Sequence, residues 1–266
     1  MLNPHESLGI AQIIFYVPIV PTAIWLMYRN GQIRPRLAWW PLIPFSLSGP
    51  VTIALEQSPS IGLYSAAIVL LNVGVVPLII ATLGFVRIVL LDNYASPSRA
   101  KTITALMRGA IITAIGLLAA GGGTASVGTP FAMYLSRTLT LVGYIAFAVM
   151  HVLLIGVMGF YWRRRDSLLP SSRTVLRGGL LAAPFLITRT VFGLLQVALQ
   201  NSSSSPFNPV VGNAVAFALM ALLPEYIVVL AYLYTGFSIA PDRGVARGVV
   251  EDETVMAARE VPKGNV

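Results

Sequence analysis

LSRTLTLVGYIAFAVMHVLLIGVMGFYWRRR, residues 135–165, decides the fold. From Leu135 to Trp162 its only formal charge is Arg137, at the edge, and three arginines then follow in a row. About 20 apolar residues cross the hydrocarbon core of a bilayer as an α-helix. This run is long enough, and it is apolar on every face rather than along one stripe, which predicts a membrane span. Tyr161 and Trp162 sit where interfacial aromatics sit, and Arg163, Arg164 and Arg165 beyond them mark the end that stays in the cytoplasm.

Outward from it the pattern recurs. Apolar runs cover 8–28, 37–55, 61–91, 103–120, 135–162, 179–200 and 211–237. The expected architecture is an all-α bundle of seven transmembrane helices over residues 1–240, with a polar cytoplasmic tail at 241–266. Of the 266 residues 56% are hydrophobic and only 11% charged, against roughly 25% charged in an ordinary soluble domain. Mean hydropathy is +0.78. Seven spans and their loops use nearly the whole chain and leave no room for a separate soluble domain. The second run is interrupted by Pro41, Pro44 and Pro50, so a kinked or partly re-entrant span is also open there. The amino terminus has no basic segment, and the first run exceeds a signal-peptide core, so it reads as a retained helix.

The net charge of +8 lies in loops between apolar runs, which argues for topology and against nucleic acid. Arg29, Arg34 and Arg36 fall in the first loop and Arg99 and Lys101 in the third. Arg163, Arg164, Arg165, Arg173 and Arg177 fall in the fifth, and further basic residues in the tail. The positive-inside rule then sets the amino terminus on the lumenal or extracellular side and the carboxyl terminus in the cytoplasm. The endoplasmic reticulum or another endomembrane is the expected location. Gly121–Gly123 through Pro130 reads as a lumenal turn.

Charges deep in a span are costly and face a partner or a wet cavity. Arg189 in span six and Glu225 in span seven both fall near mid-depth, because the spans run antiparallel through a short loop. They are expected to be neighbours, either as a structural clamp or as part of a pocket. Glu56 ends span two at the lumenal edge, as a solvated carboxylate or as an acid at a pocket mouth. Asn72 and Gln196 need partners in lipid and so face inward. Tyr16, Phe45, Tyr64, Tyr144, Phe147, Phe185, Phe192 and Tyr226 could line a cavity for an apolar chain, where π faces stabilise cationic carbon. His151 reads as a hydrogen-bonded interior residue. There is no cysteine, no aspartate-rich motif and no span-seven lysine. No thiol chemistry, metal centre or retinal Schiff base is therefore expected, and no cofactor.

Four stretches carry a resemblance: MLNPHESLGIAQIIFYVP (1–18), IGLYSAAIVLLNVGVVPLIIATLGFVRI (61–88), APFLITRTVFGLLQ (183–196) and LPEYIVVLAYLYTG (223–236). They resemble a fungal family of seven-span integral membrane proteins. That family is similar to the membrane-bound terpene cyclases of fungal meroterpenoid pathways, the ascofuranone and macrophorin type. The resemblance implies cyclisation of a prenyl chain by protonation of an alkene or epoxide, without metal and without loss of diphosphate. The partner would be a hydrophobic prenylated small molecule within the lipid. Span two departs from the pattern, since PLIPFSLSGPVT (41–52) lacks the basic residue expected there.

From the residues, Glu56 and Glu225 are the catalytic candidates, with Glu56 the leading acid because Glu225 has a cationic partner. Arg189, Asn72, Gln196, Tyr64 and Tyr226 are the substrate-binding candidates. The alternative is a seven-helix receptor, sensor or small transporter. Against it stand short loops, no DRY or NPxxY motif and no internal repeat.

Overall fold

The structure is a computed structural model that describes residues 4–30, 36–47, 74–93, 97–125, 127–199, 206–207 and 212–239. Among these the chain is helical with no strand. The elements are α1 (Pro4–Tyr16), α2 (Ile19–Asn30), a 3-10 turn (Arg36–Ala38) and a short helix α3 at 42–47. Then come α4 (Val76–Asn93), α5 (Pro97–Ala125), α6 (Pro130–Arg163) and α7 (Pro170–Ala198). The last span is α8 (Ala214–Phe217), a π turn (Ala218–Leu222) and α9 (Leu223–Ser238).

Six stretches are long and apolar enough to cross a membrane: Ile10–Asn30, Val76–Asn93, Thr104–Thr124, Pro130–Arg163, Pro170–Ala198 and Ala214–Ser238. They form the all-α bundle expected of a multi-pass membrane protein. The expected second span is described only as far as residue 47, and the tail at 241–266 lies outside the described residues.

Three expectations change. The run 61–91 is not one helix, because a turn at Gly74–Val75 precedes α4. Gly74 tolerates the turn, and Pro77 has no N–H to continue a helix from upstream. The first run is likewise divided at Val17–Pro18. The turn expected from Gly121–Gly123 through Pro130 begins later, because Gly121–Gly123 form the last part of α5. A Cβ at Gly121 would overlap Thr140 and the backbone of α6, so glycine there permits the close approach of two membrane helices. The actual turn follows, with Gly128 at φ 73°. Thr129 then caps α6 by accepting from the Ala132 N–H at 3.2 Å.

α4 is the most enclosed of the six, with Leu78, Ile79, Leu83, Phe85, Ile88 and Val89 all buried. α5 packs chiefly on α6, α6 also on α7, and α7 on α4 and α9. The outer helices turn apolar side chains such as Leu106, Ile112, Val152 and Leu181 outward, as a lipid-facing surface does.

Segment 36–47 is wedged among the helices. Ala38, Trp39 and Leu42 are fully buried, and Trp39 packs edge-on to Phe85. Two glycines receive it: Gly84 faces the backbone of Leu37 and Ala38, and Gly236 faces the Trp39 indole and Leu26.

Hydroxyls inside the spans satisfy themselves on their own helices. Thr82, Thr140, Thr190 and Thr235 each donate to the carbonyl four residues back, a local solution that suits a medium without water. Thr82 spends its proton on Leu78 O, so Tyr232 must donate to Thr82.

The arginine-rich ends meet at one end of the bundle. Asn30 donates to Gly236 O at 3.1 Å and Arg29 to Phe237 O at 3.1 Å. Asn93 donates to Ser172 Oγ at 2.7 Å and accepts from the Leu169 N–H at 2.9 Å. α7 begins nearer the turn than the run 179–200 suggested, which puts Arg173 and Arg177 on the helix.

Candidate functional site

Five helices converge on the buried charges. In α7, Pro184 removes one backbone donor, and Arg189 follows five residues later. The last span is also irregular. Pro224 cannot donate to Met220 O, and just before it the helix widens, with the Leu223 N–H reaching Ala218 O five residues back. Such π turns often occur at functional sites. Glu225 stands directly after this irregularity, in the first turn of α9.

Arg189 and Glu225 form an ion pair through Nε and Oε1. Both side chains are buried, Arg189 at 4% and Glu225 at 7% exposure. This is the juxtaposition that their depth in consecutive antiparallel spans predicts. Tyr16 of α1 donates to the other carboxylate oxygen, Oε2, at 3.4 Å. Tyr144 of α6 is fully buried beside the guanidinium. Its ring lies so close to α7 that a Cβ at Gly193 would overlap it.

Aromatic rings surround the pair. Phe15 stacks on Tyr226 with centroids 3.9 Å apart. Tyr16 meets Phe45 edge-to-face at 5.3 Å and Tyr226 at 5.4 Å. The Arg189 guanidinium carbon lies 5.9 Å from the centroid of Phe192, which joins Phe207 and Phe217 in a further aromatic group.

Two polar atoms here are buried without a hydrogen-bond partner among the described residues: Arg189 Nη1 and Tyr226 OH. A buried donor left unmatched costs about 1–3 kcal/mol. An oxygen-bearing group reaching this place would relieve both. The ion pair is neutral overall, so it favours neither an acid nor an amine by net charge.

The candidates thus divide. Arg189, Glu225 and Tyr226 are brought together. Gln196 is half-buried on α7, two turns beyond Arg189, which puts it about 10 Å along the helix axis. Glu56, Tyr64 and Asn72 lie outside the described residues. Of the aromatics, Tyr16, Phe45, Tyr144, Phe147 and Phe192 are buried. His151 is buried, and its Nε2–H donates to Ala183 O at 3.5 Å. Sequence reasoning missed Phe15 and Gly193. For Phe15 the signal was its place beside Tyr16; for Gly193 no sequence signal was available.

No curated protein and no solved structure matches the chain. One family model does, over residues 2–242, which is most of the sequence. By that match the chain belongs to the family described as Domain of unknown function (DUF7702).

Proposed function

We propose that this chain is a membrane-bound terpene cyclase that closes rings in the prenyl chain of a meroterpenoid-type precursor, by acid-initiated, metal-independent chemistry. It would do so as a seven-span protein of the endoplasmic reticulum or another endomembrane, with a lumenal amino terminus and a cytoplasmic carboxyl terminus. The observation that carries the reading is the buried Arg189–Glu225 pair ringed by Phe15, Tyr16, Phe45, Phe192 and Tyr226. Polar groups would hold an oxygenated head, and π faces would stabilise the cations that ring closure generates. The resemblance of the four sequence stretches to fungal meroterpenoid cyclases supports the same reading.

In this mechanism Glu56 is the acid and gives its proton to the terminal alkene or epoxide. With an alkene, the π electrons form the new C–H bond and leave a carbocation; with an epoxide, the oxygen takes the proton and the C–O bond breaks, leaving a hydroxyl group and a carbocation. The next alkene of the chain attacks the cationic carbon to form a ring C–C bond. Loss of a proton from the adjacent carbon restores a double bond. Glu225 is the acceptor for that proton, so the product is an isomer of the substrate. The enzyme is restored when Glu225 gives the proton up to water and Glu56 takes one up after the product leaves. A site closed to water keeps the cation from being quenched. Arg189 and Tyr226 bind the head through their unmatched atoms, and Asn72, Gln196 and Tyr64 are the further substrate-binding candidates.

The test is a product assay in microsomes with prenylated phenol substrates and EDTA present. Wild type is expected to turn over unaffected by EDTA, and Glu56→Gln to lose activity by about 10²-fold or more. Normal turnover by Glu56→Gln would shift the acid role to Glu225. EDTA-sensitive turnover would end the metal-free mechanism, and inactivity of wild type on every prenylated substrate would favour the receptor alternative.

The topology has its own check. A tag placed after Val266 is expected to be digested by protease added to intact microsomes. A protected tag would overturn the assigned orientation.

A further inference from the structure

The turn between α6 and α7 carries an arrangement that the cyclase reading does not use. Five arginines lie between residues 163 and 177, with Asp166 as the only acid. Arg173 is occupied in holding the turn: its Nε donates to Leu168 O at 3.0 Å and its Nη2 to Asp166 O at 2.9 Å. The others, Arg163, Arg164, Arg165 and Arg177, are exposed. The one carboxylate contact they make among the described residues is loose, Arg165 Nε to Asp166 Oδ1 at 3.9 Å, and the Asp166 side chain is 93% exposed.

Three of the four are nevertheless positioned. The guanidinium carbons of Arg165 and Arg177 lie 5.2 Å and 5.9 Å from the centroid of the same Trp162 ring. That of Arg164 lies 4.7 Å from the Phe160 ring. Cation–π attraction to these rings holds the guanidiniums at fixed places at the end of α6. The indole itself marks the depth, because tryptophan at the end of an apolar helix sits at the level of lipid headgroups. Every cation here is arginine, whose planar fork can hold a phosphate through two parallel hydrogen bonds. Phe160, half-exposed just inside the turn, offers apolar surface to an acyl chain at the point where a headgroup would be held.

We infer that the α6–α7 turn is a binding site for the phosphate of an anionic phospholipid, with Arg165 and Arg177 across Trp162 as its two principal donors and Arg164 beside them. A lipid rather than a dissolved anion is the occupant, because Arg164 stands over Phe160 and Arg165 and Arg177 over Trp162, at the end of the apolar length of α6. The site is independent of the chemistry at Arg189 and Glu225.

The experiment is native mass spectrometry of the detergent-purified full chain, titrated separately with phosphatidic acid and with phosphatidylcholine. Wild type is expected to prefer phosphatidic acid. Each arginine removed should weaken that preference about fivefold, so Arg165→Gln with Arg177→Gln should reduce it about 25-fold. Arg165→Lys with Arg177→Lys keeps the charge but loses the forks and the stacking, and should lose part of the preference. This second variant, read with wild type, decides the matter if the glutamine variant does not fold. An equal affinity of wild type for the two lipids would overturn the site. Full preference in the lysine variant would also overturn it, leaving only diffuse attraction. Complete displacement of phosphatidic acid by excess inorganic phosphate would overturn the choice of a lipid.

Discussion

Replacing Glu225 by glutamine is expected to destabilise the protein by about 3–5 kcal/mol, because it leaves the Arg189 guanidinium buried with no counter-charge. The side chains are nearly isosteric, so the loss isolates charge from shape. Arg189 is 4% exposed, and one of its nitrogens is unmatched among the described residues even with Glu225 in place. The readouts are monodisperse yield in detergent and thermal melting of the purified protein. A double substitution, Arg189→Met with Glu225→Leu, removes both charges and should recover much of the lost stability. If the pair serves chemistry as well as packing, the recovered double variant should still be inactive. A Glu225→Gln protein that melts with wild type would show that the pair carries no such energy.

Gly84→Ala is the second change expected to be severe. The added Cβ would fall within the backbone of Leu37 and Ala38. Backbone cannot rotate aside as a long side chain does, so α4 and segment 36–47 must separate. Overpacking of this kind typically costs about 1–3 kcal/mol. Separation should also expose Trp39, which is fully buried, and shift its emission to longer wavelength in a variant retaining only that tryptophan. Gly109→Ala is the control. Nothing lies within 4 Å of a Cβ there, and alanine is the better helix former by about 1 kcal/mol. That variant should melt at or above wild type. A Gly84→Ala protein that behaves like Gly109→Ala would mean that segment 36–47 is not packed against α4.

Some of this was legible in the sequence and some was not, for physical reasons. Apolar length marks a span because the bilayer thickness is fixed, so α6 could be read almost directly, whereas α7 extends past its apolar run into the arginine-bearing turn. Arg189 and Glu225 could be paired by depth alone, since consecutive spans joined by a short loop must run side by side. The bond from Tyr16 to Glu225 could not be read, because it depends on where the first helix crosses the last. The glycines at 121–123 read as a turn, since in water glycine weakens a helix. In the bundle they stay helical, Gly121 permits the close approach of α5 to α6, and lipid offers the backbone no alternative partner. The run 61–91 shows the limit of composition: Gly74 and Pro77 were the visible signs of a break that hydropathy passes over.

The wide turn at Ala218–Leu222 has a consequence of another kind. It holds one residue more than an α-helical turn would. Each residue of an α-helix advances the azimuth by roughly 100°. The wide turn absorbs its extra residue, so the helix on either side keeps the register that an uninterrupted helix one residue shorter would have. Were the turn to close to an ordinary one with no residue removed, everything beyond it would swing by about that angle. Glu225 would then face away from Arg189 with every side chain of the site still present. The alignment of charge with charge thus depends on the turn staying wide, and the stretch should tolerate loss of one residue better than gain of one.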